Sequence, residues 1–203
     1  MHTLIVVSHP DTASLTHAIA RQVATGIQAA SMDATVEIAD LAAEGFDPRW
    51  THGDIARFTQ AAPATPDVAA EQARLDRADA LVLVYPVFWW SFPGLLKGWI
   101  DRVFTQGWAY EDDNAGGKIV KKLQRLKVHL VANGGADQGT MDRHGYRSAM
   151  TTQIDHGIFD FCGAPVLSSN VLLASDDGYP AAHLHTAEAI GRRIAGDMPS
   201  TSR

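Results

Sequence analysis

The chain places four bulky apolar residues in succession: Val87, Phe88, Trp89 and Trp90. They directly follow residues 80–85, an apolar run rich in Val and Leu that is typical of a strand buried on both faces of a parallel sheet. Open α/β sheets bind ligands at the carboxyl ends of such strands, so the aromatic side chains predict a site for a flat ligand. The same residues could instead cover the sheet edge or fill a dimer interface.

A second candidate is the hydroxyl-rich stretch HPDTASLT at residues 9–16, between a predicted strand and a predicted helix. Amides, hydroxyls and the helix dipole can converge on an anion at such a helix start, so a phosphate would fit there. Ordinary capping by Asp11, Thr12 or Ser14 explains the same residue types, and Asp11 is unfavourable for a phosphate. His9 could donate to a phosphate or simply face solvent.

A third candidate follows another predicted strand, where Asn133, Gly134 and Gly135 occur in sequence. Glycines let a backbone amide approach a ligand closely, although a glycine pair after a strand is also typical of a plain turn. The carboxyl ends of parallel strands lie at one edge of a sheet, so the three candidates are predicted to form one site. Its loops are residues 8–13, 86–92 and 133–145.

The positions of these loops depend on an alternation of strands and helices that repeats about five times along the chain. It predicts an α/β fold, a doubly wound five-stranded parallel sheet with helices on both faces. A single domain over residues 1–197 is expected, with a disordered tail at 198–203. The predicted strands are residues 3–7, 34–39, 80–85, 127–131 and 165–172. The predicted helices are residues 14–30, 55–61, 69–79, 93–105, 146–162 and 180–195.

The helix predicted at residues 93–105 begins with a proline, which suits a first helical turn, and Ser91 is a candidate N-cap. Its apolar residues recur at helical spacing and predict one buried face. Lys97, Asp101 and Arg102 lie off this stripe and are predicted to face water.

Composition argues against several other classes of protein. The chain has 17 Lys plus Arg against 23 Asp plus Glu and no basic run, so nucleic acid is not expected as a partner. Cys162 is the only cysteine and the nine histidines show no metal-ligand spacing, so no metal site is expected. Met1 leads into a strand without a basic segment, and no apolar run is long enough to span a bilayer. A cytoplasmic protein without membrane insertion is expected.

Several segments resemble the NAD(P)H:quinone oxidoreductases of the DT-diaphorase type, a family that includes bacterial relatives and ancillary subunits of potassium-efflux systems. The resemblance covers most of the chain. Its segments are LIVVSHPDTASLT, YPVFWWSFPGLLKGWIDRVF followed by GWAY at 107–110, ANGG at 132–135 and FDFCGAPVL at 159–167. It implies a flavodoxin-like fold, a tightly held flavin, a homodimer with sites at its interface, and two-electron reduction of quinones by NADPH or NADH.

The resemblance also implies roles for the three loops. The first matches positions that hold the flavin's phosphate and the adjoining ribityl or adenylate portion. The second matches the loop that lies against the isoalloxazine ring, and the third matches a turn near the pyrimidine edge of that ring. The residues expected to bind the cofactor are His9, Ser14, Leu15, Thr16, Pro86, Val87, Phe88, Trp89, Trp90, Asn133, Gly134 and Gly135.

The chain departs from the family at the residues expected to lie near the hydride-transfer face. The family has a tyrosine and a histidine a few residues after the glycines, whereas the direct register gives Thr140 and Tyr146 here. Tyr146 or His144 could reach the same space from a shifted loop, and these two are the catalytic candidates. Either could equally be a surface or interface residue.

The expected function is NAD(P)H-dependent reduction of quinones or similar planar acceptors by ping-pong hydride transfer, with FAD as cofactor and FMN as the alternative. Three other functions stay open. The chain could be a flavin-bearing regulatory subunit that docks peripherally on a potassium-efflux transporter. It could also be a one-electron flavodoxin, or a domain whose cofactor pocket has decayed.

Overall fold

The computed structural model describes residues 1–112 and 118–196 of the chain. The tail predicted at residues 198–203 lies outside the described residues, as does position 197. The strands are β1 (His2–Val7), β2 (Thr35–Asp40), β3 (Ala80–Pro86), β4 (Tyr110–Glu111), β5 (Val120–Lys121), β6 (Lys127–Gly134) and β7 (Val166–Leu173). Five of them form one parallel sheet in the order β2-β1-β3-β6-β7, and the short antiparallel strands β4 and β5 pair separately. This is the strand order of flavodoxin-like folds, so the predicted fold class is confirmed.

Helices cover both faces of the sheet. The apolar residues of α1 and α7 pack with Val82 and Val84 on one face. Those of α3, α4 and a π-helical segment pack with Leu81 and Leu83 on the other. The helices are α1 (Leu15–Ala30), α2 (His52–Phe58), α3 (Pro66–Arg77), α4 (Gly94–Val103), α5 (Gln138–Arg143), α6 (Tyr146–Met150), the π-helical segment Thr151–Asp160, and α7 (Ala181–Gly196).

The central strand β3 forms as its apolar run predicts. Residues 80–85 are buried on both faces, between β1 and β6. Pro86 remains in register opposite Asn133 and ends the strand. The loop at residues 86–92, the aromatic loop, therefore leaves the sheet beside the carboxyl end of β6.

The helix in the connection at residues 40–66 begins three residues earlier than the sequence predicts. α2 begins at His52 rather than near Ile55, because Thr51 caps it. The Thr51 hydroxyl accepts from the Asp54 amide at 3.3 Å, and the Asp54 carboxylate accepts from the Thr51 amide at 2.7 Å. This reciprocal capping box is the sequence signal that marks the helix start.

Two predictions for the helix after β3 are wrong. Arg102 does not face water; it is 3 % exposed, and its Nε donates to both carboxylate oxygens of Asp54 at 3.0 and 3.1 Å. Periodicity within α4 could not reveal partners that come from α2 and from Asp67 of α3. Ser91 is not the N-cap, a position that Pro93 occupies; its hydroxyl donates to the side chain of Gln153 instead.

Candidate functional site

Asn133 joins the three predicted loops at the carboxyl edge of the sheet. Its side-chain oxygen accepts from the Thr16 hydroxyl at 3.0 Å, which ties the start of α1 to the end of β6. Its backbone oxygen accepts from the Val87 amide at 2.8 Å, which ties in the loop after β3. The loops predicted to form one site are therefore adjacent in the structure.

A cleft with about 440 Å³ of empty space opens beside Asn133. Five residues predicted from the sequence line it: Val87, Trp89, Trp90, Gly134 and Gly135. Its walls are mostly apolar, and backbone from the glycine turn forms part of its rim. Such a cleft suits a flat, largely apolar ring with a polar edge.

Sequence reasoning missed part of the cleft lining. Met141 comes from α5, and Val171 and Leu173 come from β7. The two β7 residues lie two positions apart, so they share one face of their strand. That periodicity was the available signal, but it could not show that β7 lies beside β6.

Packing does not explain the glycine at position 135. A Cβ built there meets no other atom within 4 Å, whereas a Cβ at Gly134 would contact Leu173 at 3.4 Å and Val87 at 3.6 Å. The open space at Gly135 belongs to the cleft that this residue lines. A ligand can therefore approach the backbone closely there.

The aromatic loop contains a tight turn with an unusual backbone. The Phe88 amide donates to the Ser91 carbonyl at 3.1 Å, and the Ser91 amide donates to the Phe88 carbonyl at 3.0 Å. The two central residues, Trp89 and Trp90, have φ angles of 50° and 60°. Positive φ at both positions is typical of a type I′ turn, which favours Asn-Gly. Two tryptophans here carry strain of about 1–3 kcal/mol each, a cost that clusters at functional sites.

Trp89→Gly is expected to stabilise the fold by about 0.5–1 kcal/mol, because glycine adopts this backbone without steric cost and its greater freedom when unfolded offsets part of the gain. The Trp89 side chain is 93 % exposed and contributes little burial. Gln60 has a φ of 59° and is also exposed, so Gln60→Gly is the matched control with a similar expected gain. Urea unfolding measures the free energy of unfolding of both variants. A loss of stability confined to Trp89→Gly would mean that the indole makes stabilising contacts.

The catalytic candidates lie beside this turn. The Tyr146 ring stacks on Trp90 with centroids 3.5 Å apart and planes 9° from parallel, and the His144 ring lies 5.2 Å from Tyr146. The three rings form an aromatic stack that adjoins the cleft through Trp90. Thr140, the residue in direct register, lies in the first turn of α5 and donates its amide to the carboxylate of the N-cap Asp137 at 2.7 Å.

The first loop is held by its own hydrogen bonds. Ser14 caps α1 by accepting from the His17 amide at 3.3 Å, as the capping interpretation expects. His9 Nδ1 accepts from the Asp11 amide at 3.0 Å, which fixes the ring against the loop. The first-turn amides of Leu15 and Thr16 have no acceptor within the helix, so they are available to an anion.

A neighbouring cavity shares Val171 with the cleft and is lined by Tyr85, Arg147, Asp155 and other residues. Burial raises the pKa of Tyr85, and the nearby Asp155 carboxylate adds to the shift. Burial also raises the pKa of Asp155, against the effect of a backbone hydrogen bond. Tyr85 therefore stays protonated at neutral pH and acts as a packing residue, not as a base.

In residues 1–112 and 118–196, no group of three or more His, Cys, Asp or Glu side chains is placed to hold a metal ion. No described helix combines the length and apolarity that crossing a membrane requires.

Comparison with known proteins identifies similar chains. A family model described as a flavodoxin-like fold matches residues 1–193. Ribosyldihydronicotinamide dehydrogenase (quinone) of Mus musculus is 29 % identical over 163 residues, which cover 70 % of this chain and 69 % of the relative. The structure of an NAD(P)H:quinone oxidoreductase from Methanothermobacter marburgensis is 25 % identical, with a TM-score of 0.84 and 96 % of each chain covered. An FMN-dependent NADH-azoreductase from Bacillus anthracis, solved in complex with FMN, is 17 % identical with a TM-score of 0.71 over 96 % of this chain and 97 % of that one, a similarity of fold alone.

Proposed function

The chain belongs to the flavodoxin-like family whose model matches residues 1–193, and on that premise we propose that it is an NAD(P)H-dependent flavoprotein oxidoreductase acting on quinones or similar planar acceptors. The observation that carries the proposal is the cleft between the two-tryptophan turn and the glycine turn. The quinone-related names of the mouse relative and the archaeal structure support the same reaction class.

The residues present suit the two chemically different ends of a flavin. Apolar walls and the open space at Gly135 suit its ring, while the first-turn amides of α1 suit its phosphate. When bound, the flavin supplies the hydride chemistry. The protein would provide binding and orientation: Gly134 and Gly135 amides would donate to the polar edge of the ring, and Val87, Trp89 and Trp90 would enclose it.

The phosphate would lie at the start of α1, held by Ser14, Leu15 and Thr16 with His9 beside them. The Thr16–Asn133 hydrogen bond places this helix start next to the cleft. Pro86, which pairs with Asn133, would line the connecting path. The ring and the phosphate of one cofactor would then bind at neighbouring parts of the same sheet edge.

We propose FAD as the cofactor, with FMN as the alternative. A mostly apolar recess of about 570 Å³ adjoins the first loop, with Ser8, His9, Ala42 and Phe88 among its lining residues. It offers space for an adenosine beside the phosphate position. Ala42 comes from the connection at residues 40–66. The FMN complex of the azoreductase, which shares the fold, keeps FMN in consideration.

The cleft supports ping-pong transfer, because the nucleotide and the planar acceptor would use the same face in turn. Phe88, Trp89 and Trp90 would favour flat acceptors. Tyr146 or His144 would donate a proton to the acceptor oxygen from the aromatic stack, after NADPH or NADH has supplied the hydride.

We further propose a cytoplasmic homodimer. Trp50, Ile55 and Phe58 are each about half exposed, and Trp50 and Phe58 line a surface groove with Phe104 and Tyr110. Exposed aromatic patches of this kind are typical of protein interfaces. The proteins compared above are named as oxidoreductases, and they lend no support to the alternative of a potassium-efflux transporter subunit.

An anaerobic absorbance spectrum of the purified protein tests the function. Bound flavin is expected to bleach on addition of NADPH or NADH and to recover on addition of a quinone, and chromatography of the released cofactor distinguishes FAD from FMN. A flavin that stays oxidised with both nucleotides would contradict the reductase. Failure to bind either flavin after reconstitution would remove the basis of the proposal.

Tyr146→Phe is expected to lower kcat for quinone reduction about tenfold, because the ring stack with Trp90 remains while the hydroxyl that donates the proton is lost. Stopped-flow measurement separates the two half-reactions, and only the oxidative half should slow. His144→Gln serves as the parallel test. Unchanged rates in both variants would show that neither residue is catalytic.

A further inference from the structure

His17 connects the start of α1 to the end of β2 through a continuous hydrogen-bond chain. Its Nδ1 lies 3.0 Å from the Ser14 hydroxyl, and its Nε2 lies 2.8 Å from Asp40 Oδ2. The His17 side chain is 8 % exposed and that of Asp40 is 19 % exposed. An N-cap serine needs no such support, so helix capping does not explain these hydrogen bonds.

Asp40 is the fixed end of this series of hydrogen bonds. Its second carboxylate oxygen accepts from the amides of Ala42 at 3.2 Å and Ala43 at 3.1 Å. Burial alone would raise the pKa of Asp40, but the hydrogen bonds from His17 and these amides bring it below its usual value. Asp40 is therefore ionised at neutral pH and can only accept hydrogen bonds, so the facing Nε2 of His17 carries a hydrogen.

The remaining nitrogen, Nδ1, decides what Ser14 can do. With a neutral imidazole, Nδ1 is an acceptor and the Ser14 hydroxyl donates its only hydrogen to it. With a protonated imidazole, Nδ1 donates to the Ser14 oxygen, and the hydroxyl hydrogen is released to point elsewhere. The protonated state also places a positive charge beside the first turn of α1, with Asp40 as its counterion.

We propose that His17 is a positioning residue for the cofactor phosphate, and that phosphate binding at the start of α1 is coupled to uptake of one proton by His17 Nδ1. The proton comes from solvent, and the Ser14 hydroxyl, no longer donating to the imidazole, donates to the phosphate. This inference rests on the proposed flavin site and adds a proton linkage to it. Flavin phosphates are then bound more tightly as pH falls.

Other charged groups near His17 must be separated from it. The His9 ring lies edge-on with its centroid 6.3 Å away, and Asp11 holds the same loop through the Ala13 amide. Arg21, one turn further along α1, donates to the Thr12 carbonyl. Of these, His9 is the second imidazole beside the phosphate position, so it is the group that the test must exclude.

Calorimetric titration of the apoprotein in two buffers of different protonation enthalpy measures the proton uptake directly. With FAD, whose pyrophosphate does not titrate in this range, uptake of up to one proton is expected, and affinity should fall by up to about tenfold per pH unit as pH rises. Riboflavin, which lacks a phosphate, should take up none. If only FMN binds, the measurement moves to about pH 8, where its phosphate is already dianionic.

Variants assign the proton to a residue. His17→Gln should bind FAD without proton uptake and with little pH dependence, while its riboflavin affinity stays unchanged and shows that the fold is intact. Asp40→Asn removes the counterion and should reduce the uptake. His185→Gln, an exposed histidine of α7, is the matched control and should behave as the unaltered protein.

The outcomes separate this inference from the proposed function. If FAD affinity does not depend on pH, and if FAD and riboflavin bind with the same proton uptake, the inference is overturned and the flavin site remains intact. Proton uptake that survives in His17→Gln but disappears in His9→Gln would assign the proton to His9. That result would also overturn the inference. Binding of no flavin at any pH would overturn the proposed function, and the inference with it.

Discussion

Gly135→Val is expected to weaken flavin binding at least about a hundredfold while changing the free energy of unfolding by less than about 1 kcal/mol. A Cβ at this position meets no atom within 4 Å, and the backbone is not in the left-handed region, so the protein itself tolerates the side chain. The branched side chain would occupy the cleft and keep the ring from the backbone. Loss of that contact and its hydrogen bond costs about 3 kcal/mol, which corresponds to about a hundredfold in affinity.

Flavin titration gives the affinity, and thermal unfolding of the apoprotein gives the stability. Gly196→Val is the matched control, because a Cβ at Gly196 also meets nothing within 4 Å, but that residue ends α7 and does not line the cleft. It should bind flavin normally. If Gly135→Val binds flavin as tightly as the control, the cleft is not the flavin site.

The strands were predictable because burial in a parallel sheet leaves a direct trace in the sequence. Residues 80–85 are apolar without interruption, and each is buried because β1 and β6 flank β3 and helices cover both faces. The three loops of the site follow from the strand ends. Thr16, Val87 and Asn133 could thus be placed near one another, although their hydrogen bonds could not be foreseen.

The features that escaped prediction depend on contacts between distant elements. The two-tryptophan turn has positive φ at residues whose side chains disfavour it, and Ser91, which closes the turn, is bonded to Gln153 from the π-helical segment. Local propensity argues against such a turn, so only the folded chain can reveal it. His17 is similar, since its partner Asp40 belongs to strand β2 and no spacing within α1 indicates it.

Arg102→Met is expected to lower the free energy of unfolding by about 3–5 kcal/mol at neutral pH. The guanidinium and the Asp54 carboxylate are each 3 % exposed, and Arg102 Nη1 also donates to Asp67 at 2.7 Å and to the Asp47 carbonyl at 2.8 Å. Methionine keeps much of the apolar stem but leaves Asp54 buried without its cation, which is the expensive half of a broken buried pair. The connection at residues 40–66 would lose its main attachment to α4.

The sign of the pH dependence distinguishes this charge effect from a packing defect. Burial opposes ionisation of Asp54, but hydrogen bonds from Thr51 and Arg102 lower its pKa below the unfolded value. Its ionised form therefore contributes stability above that unfolded pKa, and this contribution is lost as pH falls through the folded value. The difference between Arg102→Met and the unaltered protein should shrink from about pH 7 to about pH 4, because protonation of Asp54 relieves the variant.

Lys97→Met provides the matched control on the same helix. Lys97 pairs with Asp101 at 2.7 Å, but both side chains are more than two-fifths exposed, so the expected loss is below about 1 kcal/mol and nearly independent of pH. Urea unfolding of both variants at about pH 7 and about pH 4 measures these losses of stability. Adding Asp54→Asn to Arg102→Met should recover part of the stability, since the unpaired charge is then absent while the side-chain oxygen can still accept from the Thr51 amide. A loss that the second substitution does not reduce would mean that Arg102 acts through its packing and its bonds to Asp47 and Asp67.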